Sequence, residues 1–442
     1  MLRKGICAFR FSISFLIFLF LLSTDVHSQW GWQNRVRIRK DGIAMGGVGM
    51  SFIDGESFFV FNLRTEVAVG QFGIGLDVPL RFNTQSGELR DQDWNTTYDY
   101  FRVIRYLRYG QKRRTPVYAR IGTLDGARLG HGFIMNYYTN EAQYDDRKIG
   151  SEFDLKFDGW GVETVVSNYD QVEIMGGRVY VKPLKRVKSV GILKGLSFGA
   201  TLVGDADPDG TGATNDDVTI TGLDVELPLL RAGPFFSSIY ADYAKIFNYG
   251  AGQAVGLQIG IWKLGGLLTL QAKLERRFLG KQFLPSYFDP FYEVQRFQMT
   301  AAGPSRKTDF LLQRTSREQG IYGELFGDIF KTVKLLGTFE RIDGQPNSGR
   351  LHLAALFSPA VGPFRARALY DKFAINDFTD TFTLNNRSIL RAGIGYQINA
   401  YLYLFTDYIW TFAVDPNTGL LETQRRIEPQ LSFVLPLNFG VR

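Results

Sequence analysis

The feature that most limits the fold of this chain is a hydrophobic alternation with a period of two residues. Successive side chains of a β-strand point to opposite faces, so this period predicts strands with one apolar and one polar face. Residues 71–83 follow it closely. Their apolar side chains take every second position: Phe72, Ile74, Leu76, Val78, Leu80 and Phe82.

The same alternation recurs along most of the chain. We count roughly 19 such segments between Glu56 and Val441, and a tilted strand that crosses a membrane needs about 9–11 residues. The composition agrees with an all-β chain, since 14% of the residues are aromatic and 48 are Gly. No segment after the N-terminal region has 18 uninterrupted apolar residues, so membrane-spanning helices are not expected.

The connections between these segments alternate between short and long. Short ones include 69–70 and 399–400, and long ones include 124–149 and 279–318. Outer-membrane barrels combine short periplasmic turns with long outer loops, whereas a soluble sandwich has no reason to sort its loops this way. This alternation of short and long connections places the C-terminus on the periplasmic side. It also requires one further strand before Glu56. Ile43 to Phe52, followed by an Asp54-Gly55 turn, could supply that strand and give 20 strands, or 18 if the 150–168 pair lies outside the wall.

The first 28 residues have the pattern of a secretory signal peptide. Arg3 and Lys4 precede the apolar stretch Phe11–Leu22, which is too short to cross the hydrocarbon core as a helix. We therefore divide the chain into a signal peptide (1–28), a short N-terminal segment that could include the first strand (29–55) and a barrel domain (56–442). The single cysteine, Cys7, lies in the leader, so the mature chain has no thiol chemistry.

Taken together, the chain resembles a bacterial outer-membrane β-barrel of porin size. The resemblance is carried by the leader, the period-two segments, the loop parity and an amphipathic last strand, although Phe439 is followed by Gly440-Val441-Arg442 where many such barrels end on the aromatic. It implies an all-β, transmembrane, antiparallel up-and-down barrel of about 18–20 strands. It also implies a location in the bacterial outer membrane and contact with lipid and the barrel assembly machinery. The resemblance does not decide the oligomeric state, and a homo-oligomer is compatible with it. The formal charge of +7 is mild for 442 residues and argues against a nucleic-acid partner.

Alternation also predicts which charged side chains face the lumen. Lys and Arg on the lipid face cost about 2–4 kcal/mol at the midplane, which favours the inward assignment. We expect a lumen lined by Arg64, Glu66, Asp77, Arg81, Lys273, Glu275, Glu324, Asp328, Lys334, Glu340, Arg365, Arg367, Arg391 and Asp407. The two signs are nearly balanced. The alternative is that these groups pair across neighbouring strands and only hold the wall together.

The connection 279–318 is unusually apolar for a surface loop. It contains Phe283, Tyr287 and Phe288, and long loops with their own apolar cluster are usually packed and functional. We expect it to fold into the barrel and narrow the pore, with a polar edge formed by Asp289, Glu293 and Arg296. An aromatic patch that packs on the rim or on a neighbouring subunit is the alternative.

A calcium-loop pattern occurs in residues 205–216, DADPDGTGATND. Asp205, Asp207 and Asp209 match the start D-x-D-x-D-G, and Asp216 holds the twelfth position, where Glu is usual. A solvated, turn-rich loop is the simpler interpretation. We expect no other cofactor.

Catalysis has little support in the sequence. The mature chain has only His131 and His352, and no G-x-S-x-G lies near His131. We therefore expect no enzyme but a channel for passive diffusion of small hydrophilic solutes. A substrate-selective transporter is the alternative. An outer-membrane enzyme, which would need a Ser or Asp beside His131, is a weaker one.

Overall fold

A computed structural model describes residues 42–112, 115–210, 216–300, 303–359, 362–415 and 418–437. The leader, the rest of 1–41 and the end of the last segment, 438–442, lie outside these residues. Twenty strands of the described chain form one closed antiparallel sheet, a barrel. They are β1 (Gly42–Ile53), β2 (Glu56–Val69), β3 (Phe72–Asn83), β4 (Ile104–Tyr109), β5 (Val117–Gly122), β8 (Gly150–Lys156), β9 (Trp160–Val166), β10 (Ile174–Val181), β11 (Ser197–Asp205), β12 (Val218–Ala232), β13 (Phe235–Ile246), β14 (Ala251–Leu264), β15 (Leu268–Leu279), β18 (Glu318–Ile329), β19 (Val333–Ile342), β20 (Gly349–Phe357), β21 (Phe364–Ile375), β22 (Ser388–Gln397), β23 (Leu402–Val414) and β24 (Leu421–Pro436).

Each barrel strand pairs with its neighbours in chain order, and β1 closes the barrel against β24. The closing register runs from Ile43 opposite Pro436 to Ile53 opposite Arg426. The strand at Gly42–Ile53 therefore supplies the extra strand that parity required, and β8 and β9 both lie in the wall. The prediction of an all-β, up-and-down barrel with about 18–20 strands is confirmed.

The two ends of the barrel differ, as the loop parity indicated. One end carries short connections such as 70–71, 233–234 and 398–401, and the other carries the long ones. Four smaller strands belong to two of these long loops. They form the hairpins β6 (Asp125–Ala127) with β7 (Tyr138–Thr139) and β16 (Phe297–Thr300) with β17 (Gly303–Arg306).

Helices in the described part of the chain are few and short. The α-helices are Thr97–Arg102, Tyr292–Gln295, Lys307–Leu312 and Phe378–Thr381, and the 3-10 helices are Asp91–Asp93 and Gly191–Gly195. In these residues no helix has the length and apolarity to cross a membrane.

The outer face of the barrel is apolar. Large hydrophobic side chains such as Leu202, Val255, Leu325 and Ile394 are more than half exposed, although they lie within strands. Aromatic pairs collect at the short-turn end, where Phe72 packs on Tyr109, Phe157 on Trp160 and Phe364 on Tyr396. An outward apolar band with aromatic residues at its edge is the pattern of a barrel that faces lipid.

The largest cluster of buried apolar residues lies inside the barrel rather than between layers. It joins residues of the loops 123–149 and 280–317 to inward side chains of the wall, including Val203, Ile220 and Ala254. The lumen is therefore not an open water-filled tube: two inward-folded loops occupy part of it.

Candidate functional site inside the barrel

The loop 123–149 is the segment that enters the lumen most deeply. Its side chains reach wall strands on several sides of the barrel: Arg128 pairs with Glu324 of β18, Glu141 with Arg391 of β22 and Asp145 with Arg426 of β24. The N–O distances are 2.8, 2.8 and 3.0 Å. Ion pairs to well-separated strands hold this loop across the lumen.

The tight turn at Leu129–Phe133 depends on two glycines. Gly130 and Gly132 have φ of 54° and 91°, which side chains with a Cβ rarely adopt. A Cβ on Gly132 would lie 2.5 Å from the Asn136 side chain. The Gly130 amide donates to Glu163 of β9, 3.0 Å away, so the turn is also attached to the wall.

His131, between these glycines, is held by two carboxylates of the wall. Its Nδ1 lies 3.0 Å from Asp242, its Nε2 lies 3.6 Å from Glu226, and its ring stacks on Tyr240. Burial disfavours the protonated ring, but the two carboxylates outweigh burial and raise the pKa of His131 to about 9. His131 is therefore a cation at neutral pH.

The loop 280–317 lies on top of loop 123–149, towards the long-loop end. The Ser286 and Phe288 amides donate to the carbonyls of Phe133 and Ile134 at 2.8 and 3.1 Å, and the Asn136 amide donates to the Phe288 carbonyl at 2.9 Å. Five of its aromatic residues are buried, as expected for a loop segment that does not face water, whereas Phe310 is exposed: the buried ones are Phe283, Tyr287, Phe288, Phe291 and Tyr292. The deeper obstruction, however, comes from loop 123–149.

Asp289, Glu293 and Arg296 do not form the polar edge expected from the sequence. All three are buried in ion pairs that fix the loop. Asp289 contacts Lys307 and Arg350 at 3.0 and 2.7 Å. Glu293 lies 2.5 Å from Lys148, and Arg296 lies 2.8 Å from Glu173. These groups attach loop 280–317 to the wall and to loop 123–149, and they leave no charged rim around a passage.

The inward charges of the wall also pair extensively. Arg64 lies 2.8 Å from Asp77 and Arg367 lies 2.8 Å from Asp407. Further contacts are Arg81–Glu428 at 2.7 Å, Lys273–Glu275 at 2.6 Å, Arg277–Glu340 at 2.9 Å, Arg128–Glu324 and Arg391–Glu141. Glu66 accepts a hydrogen bond from Tyr106, and Asp328 stands opposite Lys334 on the next strand. Arg365 bonds to the carbonyls of Gly362 and Phe364 near the short-turn end. This arrangement favours the alternative in which most of these groups hold the wall and its loops.

A narrow cavity of about 60 Å³ separates loop 123–149 from one side of the wall. Side chains of β2, β3, β4, β21, β22 and β23 line it from the wall. The cationic and acidic lining groups are Arg64, Arg102, Arg105, Arg147, Lys148, Arg367 and Arg391 with Asp77, Asp125, Glu141 and Asp407. Seven cations face four carboxylates, which leaves three positive charges in excess.

Two acidic groups of loop 123–149 lie together in this cavity. Burial and the neighbouring Glu141 carboxylate raise the pKa of Asp125 to about 7. Burial opposes ionisation of Glu141 as well, but Arg391 outweighs it and lowers the pKa of Glu141. Near neutral pH the pair of Asp125 and Glu141 therefore carries between one and two negative charges. The excess of positive charge among the lining groups is then at least three.

The four aspartates of the calcium-loop pattern do not assemble as one site. Carboxylate oxygens of Asp207, Asp209 and Asp216 lie within 4.8 Å of one another. Asp205 instead accepts a hydrogen bond from Tyr292 at 2.8 Å and lies 3.7 Å from Arg296. The Arg306 guanidinium already contacts Asp209 and Asp216 at 3.1 and 3.7 Å. The predicted calcium site is thus reduced from four carboxylates to three, and the Arg306 guanidinium already lies beside these three.

The sequence reasoning missed Arg105, Arg128, Glu141, Asp145 and Arg147. Four of them lie in loop 123–149, which was recognised only as a long connection beside His131. A usable signal was present, since the Gly-His-Gly turn and the many charged and aromatic residues of 124–149 are as unusual as the composition of 279–318.

Comparisons with known proteins add little beyond the architecture. No family model matches the chain, and no curated protein matches its sequence. Similar solved structures include the Pseudomonas aeruginosa barrels OccK9 (OpdG), at 12% identity, and OccK2 (OpdF) in complex with glucuronate, also at 12% identity. The alignments cover 90% of this chain and 99% and 96% of those chains, with TM-scores of 0.33 and 0.34. The Escherichia coli capsule-assembly barrel Wzi aligns at 9% identity over 90% of this chain and 85% of its own, with a TM-score of 0.36. At identities and scores this low, the likeness carries no inference about function.

Proposed function

We propose that this protein is a bacterial outer-membrane channel that admits small hydrophilic solutes along a narrow charged passage. The cavity between loop 123–149 and the wall carries this proposal, because it places charged groups along a restricted space inside a barrel whose outer face is apolar. Lipid surrounds the barrel, and the long loops face outward.

The narrowness of this space favours a selective passage over general diffusion. Loops 123–149 and 280–317 fill much of the lumen with a hydrophobic cluster and with ion pairs to the wall. A wide porin leaves a continuous aqueous channel. Solutes here would have to fit beside loop 123–149 and interact with its charged side chains.

A catalytic role is disfavoured by the surroundings of His131. An Asp does lie beside this residue, but Glu226 lies beside its second nitrogen, and the ring is positively charged at neutral pH. A histidine that acts as the general base of a hydrolase must be unprotonated, and therefore neutral, in its resting state. His131 therefore acts as a cation that holds the loop to the wall.

Single-channel recording in planar bilayers tests the channel. The refolded full-length barrel should give discrete openings of lower conductance than a variant in which residues 124–148 are replaced by a short Gly-Asn turn. Gly122 and Gly150 are direct strand partners, so a short turn can join them. A wild-type barrel that is inserted and folded but never conducts would contradict the proposal.

A further inference from the structure

We infer that the cavity beside loop 123–149 is a binding site for a small anionic solute that carries a carboxylate or phosphate group. The inference rests on the proposed channel function and names the chemical class of solute that the passage would favour. Two arginines, Arg105 of β4 and Arg147 of the loop, carry it.

The other charged groups of the cavity are already neutralised by each other or by neighbours. The cavity carboxylates each have a cationic partner, at N–O distances of 2.8, 2.8, 2.8 and 3.0 Å: Asp77 with Arg64, Asp407 with Arg367, Glu141 with Arg391 and Asp125 with Arg120. The remaining cations other than Arg105 and Arg147 are also used, because Arg102 pairs with Asp99 and Lys148 pairs with Glu293.

Arg105 and Arg147 make no close ion pair of this kind among the described residues, and the carboxylates of Glu66, Asp77 and Asp125 act on Arg105 only at longer range. The Nε of Arg105 is buried and makes no hydrogen bond. The Arg147 guanidinium lies 4.3 Å from the centre of the Tyr144 ring, and the carboxylates of Asp77 and Glu141 act on it only at longer range. A guanidinium cannot lose its proton in a protein, so two permanent positive charges face the cavity.

The backbone of β4 places Arg105 there through a β-bulge. Leu76 of β3 stands opposite Ile104, while the preceding Gly75 stands opposite Tyr106, so Arg105 is the extra residue without a partner in the register. A bulge re-aims a side chain that regular alternation would place elsewhere, and bulges are frequent beside functional sites. Ile104 is 40% exposed, and it lines the cavity together with Arg105.

The chemistry of these two groups defines the class of ligand. Guanidinium groups present paired donors that match the two oxygens of a carboxylate or phosphate. An anion between Arg105 and Arg147 would satisfy the buried donor and offset the excess positive charge. A neutral solute of the same size would gain neither interaction.

Calorimetry on the full-length barrel in detergent at low salt tests the site. Succinate is the probe, succinamide is its uncharged counterpart of similar size, and inorganic phosphate separates a general oxyanion site from one for carboxylates. We expect saturable binding of succinate, no binding of succinamide, and at least tenfold weaker succinate binding in Arg105→Gln and in Arg147→Gln.

Arg425→Gln is the matched control, because it removes the same charge from an exposed position outside the cavity. Its succinate affinity should equal that of the wild type. Heat-modifiable migration on gels verifies that each variant is folded. Arg147→Lys is a second variant for the case in which the glutamine variants fold poorly, and it should retain part of the succinate affinity because it keeps the positive charge. Equal binding of succinate and succinamide, no binding to the wild type, or equal losses in the cavity and control variants would each overturn the site. Conduction without anion binding would remove this inference and leave the channel, whereas binding without conduction would remove the channel alone.

Discussion

At the scale of single residues, His131 shows how a charged loop is held inside the barrel. Asp242 and Glu226 of the wall face its two ring nitrogens and raise its pKa from 6.5 to about 9. Protonation therefore favours the folded state. This stabilisation is complete below about pH 6.5 and is lost as the pH rises through about 9.

The expected pH effect is measurable as a difference between two proteins. A shift of this size corresponds to about 3 kcal/mol. The free energy of unfolding of the wild type minus that of His131→Gln should fall by about this amount between roughly pH 6 and pH 10. Urea titrations in detergent at both pH values measure it. A constant difference would show that the charge on His131 does not stabilise the loop.

The acidic cluster Asp207, Asp209 and Asp216 makes a second prediction at this scale. Arg306 lies where a calcium ion would gain its carboxylate ligands, so the ion must displace this guanidinium. We therefore expect Arg306→Gln to bind calcium more tightly than the wild type by calorimetry.

Asp207→Ala in the Arg306→Gln background is the control, because it removes one of the three ligands and should abolish the gain. No heat of calcium binding in any of these proteins would mean that the three aspartates form no calcium site and that Asp209 and Asp216 serve only to bind Arg306.

At the scale of elements, the two inward loops make separable contributions. Loop 123–149 contacts Glu324 and Glu226, which lie well inside strands β18 and β12, whereas loop 280–317 contacts Asp205, Glu173 and Arg350 near the long-loop end. We therefore expect the first loop to be the main constriction and the second loop to cover it.

Two matched loop replacements test this order. The strand partners Gly122 and Gly150 flank one loop, and Leu279 and Glu318 flank the other, so short turns can replace residues 124–148 or 281–316. We expect a severalfold rise in single-channel conductance for the first replacement and a smaller rise for the second. A larger rise for 281–316 would restore that loop as the constriction expected from the sequence.

The strands were predictable because the two faces of each strand have different surroundings, one apolar and one polar. This difference produces a local alternation in the sequence, in which Leu431 and Phe433 alternate with Ser432. The placement of loops depends on partners that are distant in sequence. Arg128 and Glu324 are 196 residues apart, and no local pattern links them. Arg105 was missed for a different reason, because a bulge breaks the alternation from which inward residues are inferred.

At the scale of the whole molecule, the barrel has a polar, largely paired interior and an apolar exterior. A soluble protein of this size would bury the side chains that this barrel exposes. The lumen, in turn, contains the hydrophobic cluster and ion pairs that elsewhere form a protein core. This distribution is the one expected for a barrel whose strands are surrounded by an apolar medium.

One outward residue tests this view of the exterior. Leu325, in β18, is 62% exposed and flanked by inward Glu324 and Phe326. If lipid surrounds it, Leu325→Lys should lower the free energy of unfolding in phospholipid bilayers by about 2–4 kcal/mol, because a charge near the midplane of the hydrocarbon layer is costly. Phe378 is the matched control: it is 83% exposed but lies in the loop beyond β21, where Phe378→Lys should change stability by no more than about 0.5 kcal/mol. Equal effects of the two lysines would mean that the band around Leu325 faces water, and the membrane location would then have to be abandoned together with the channel.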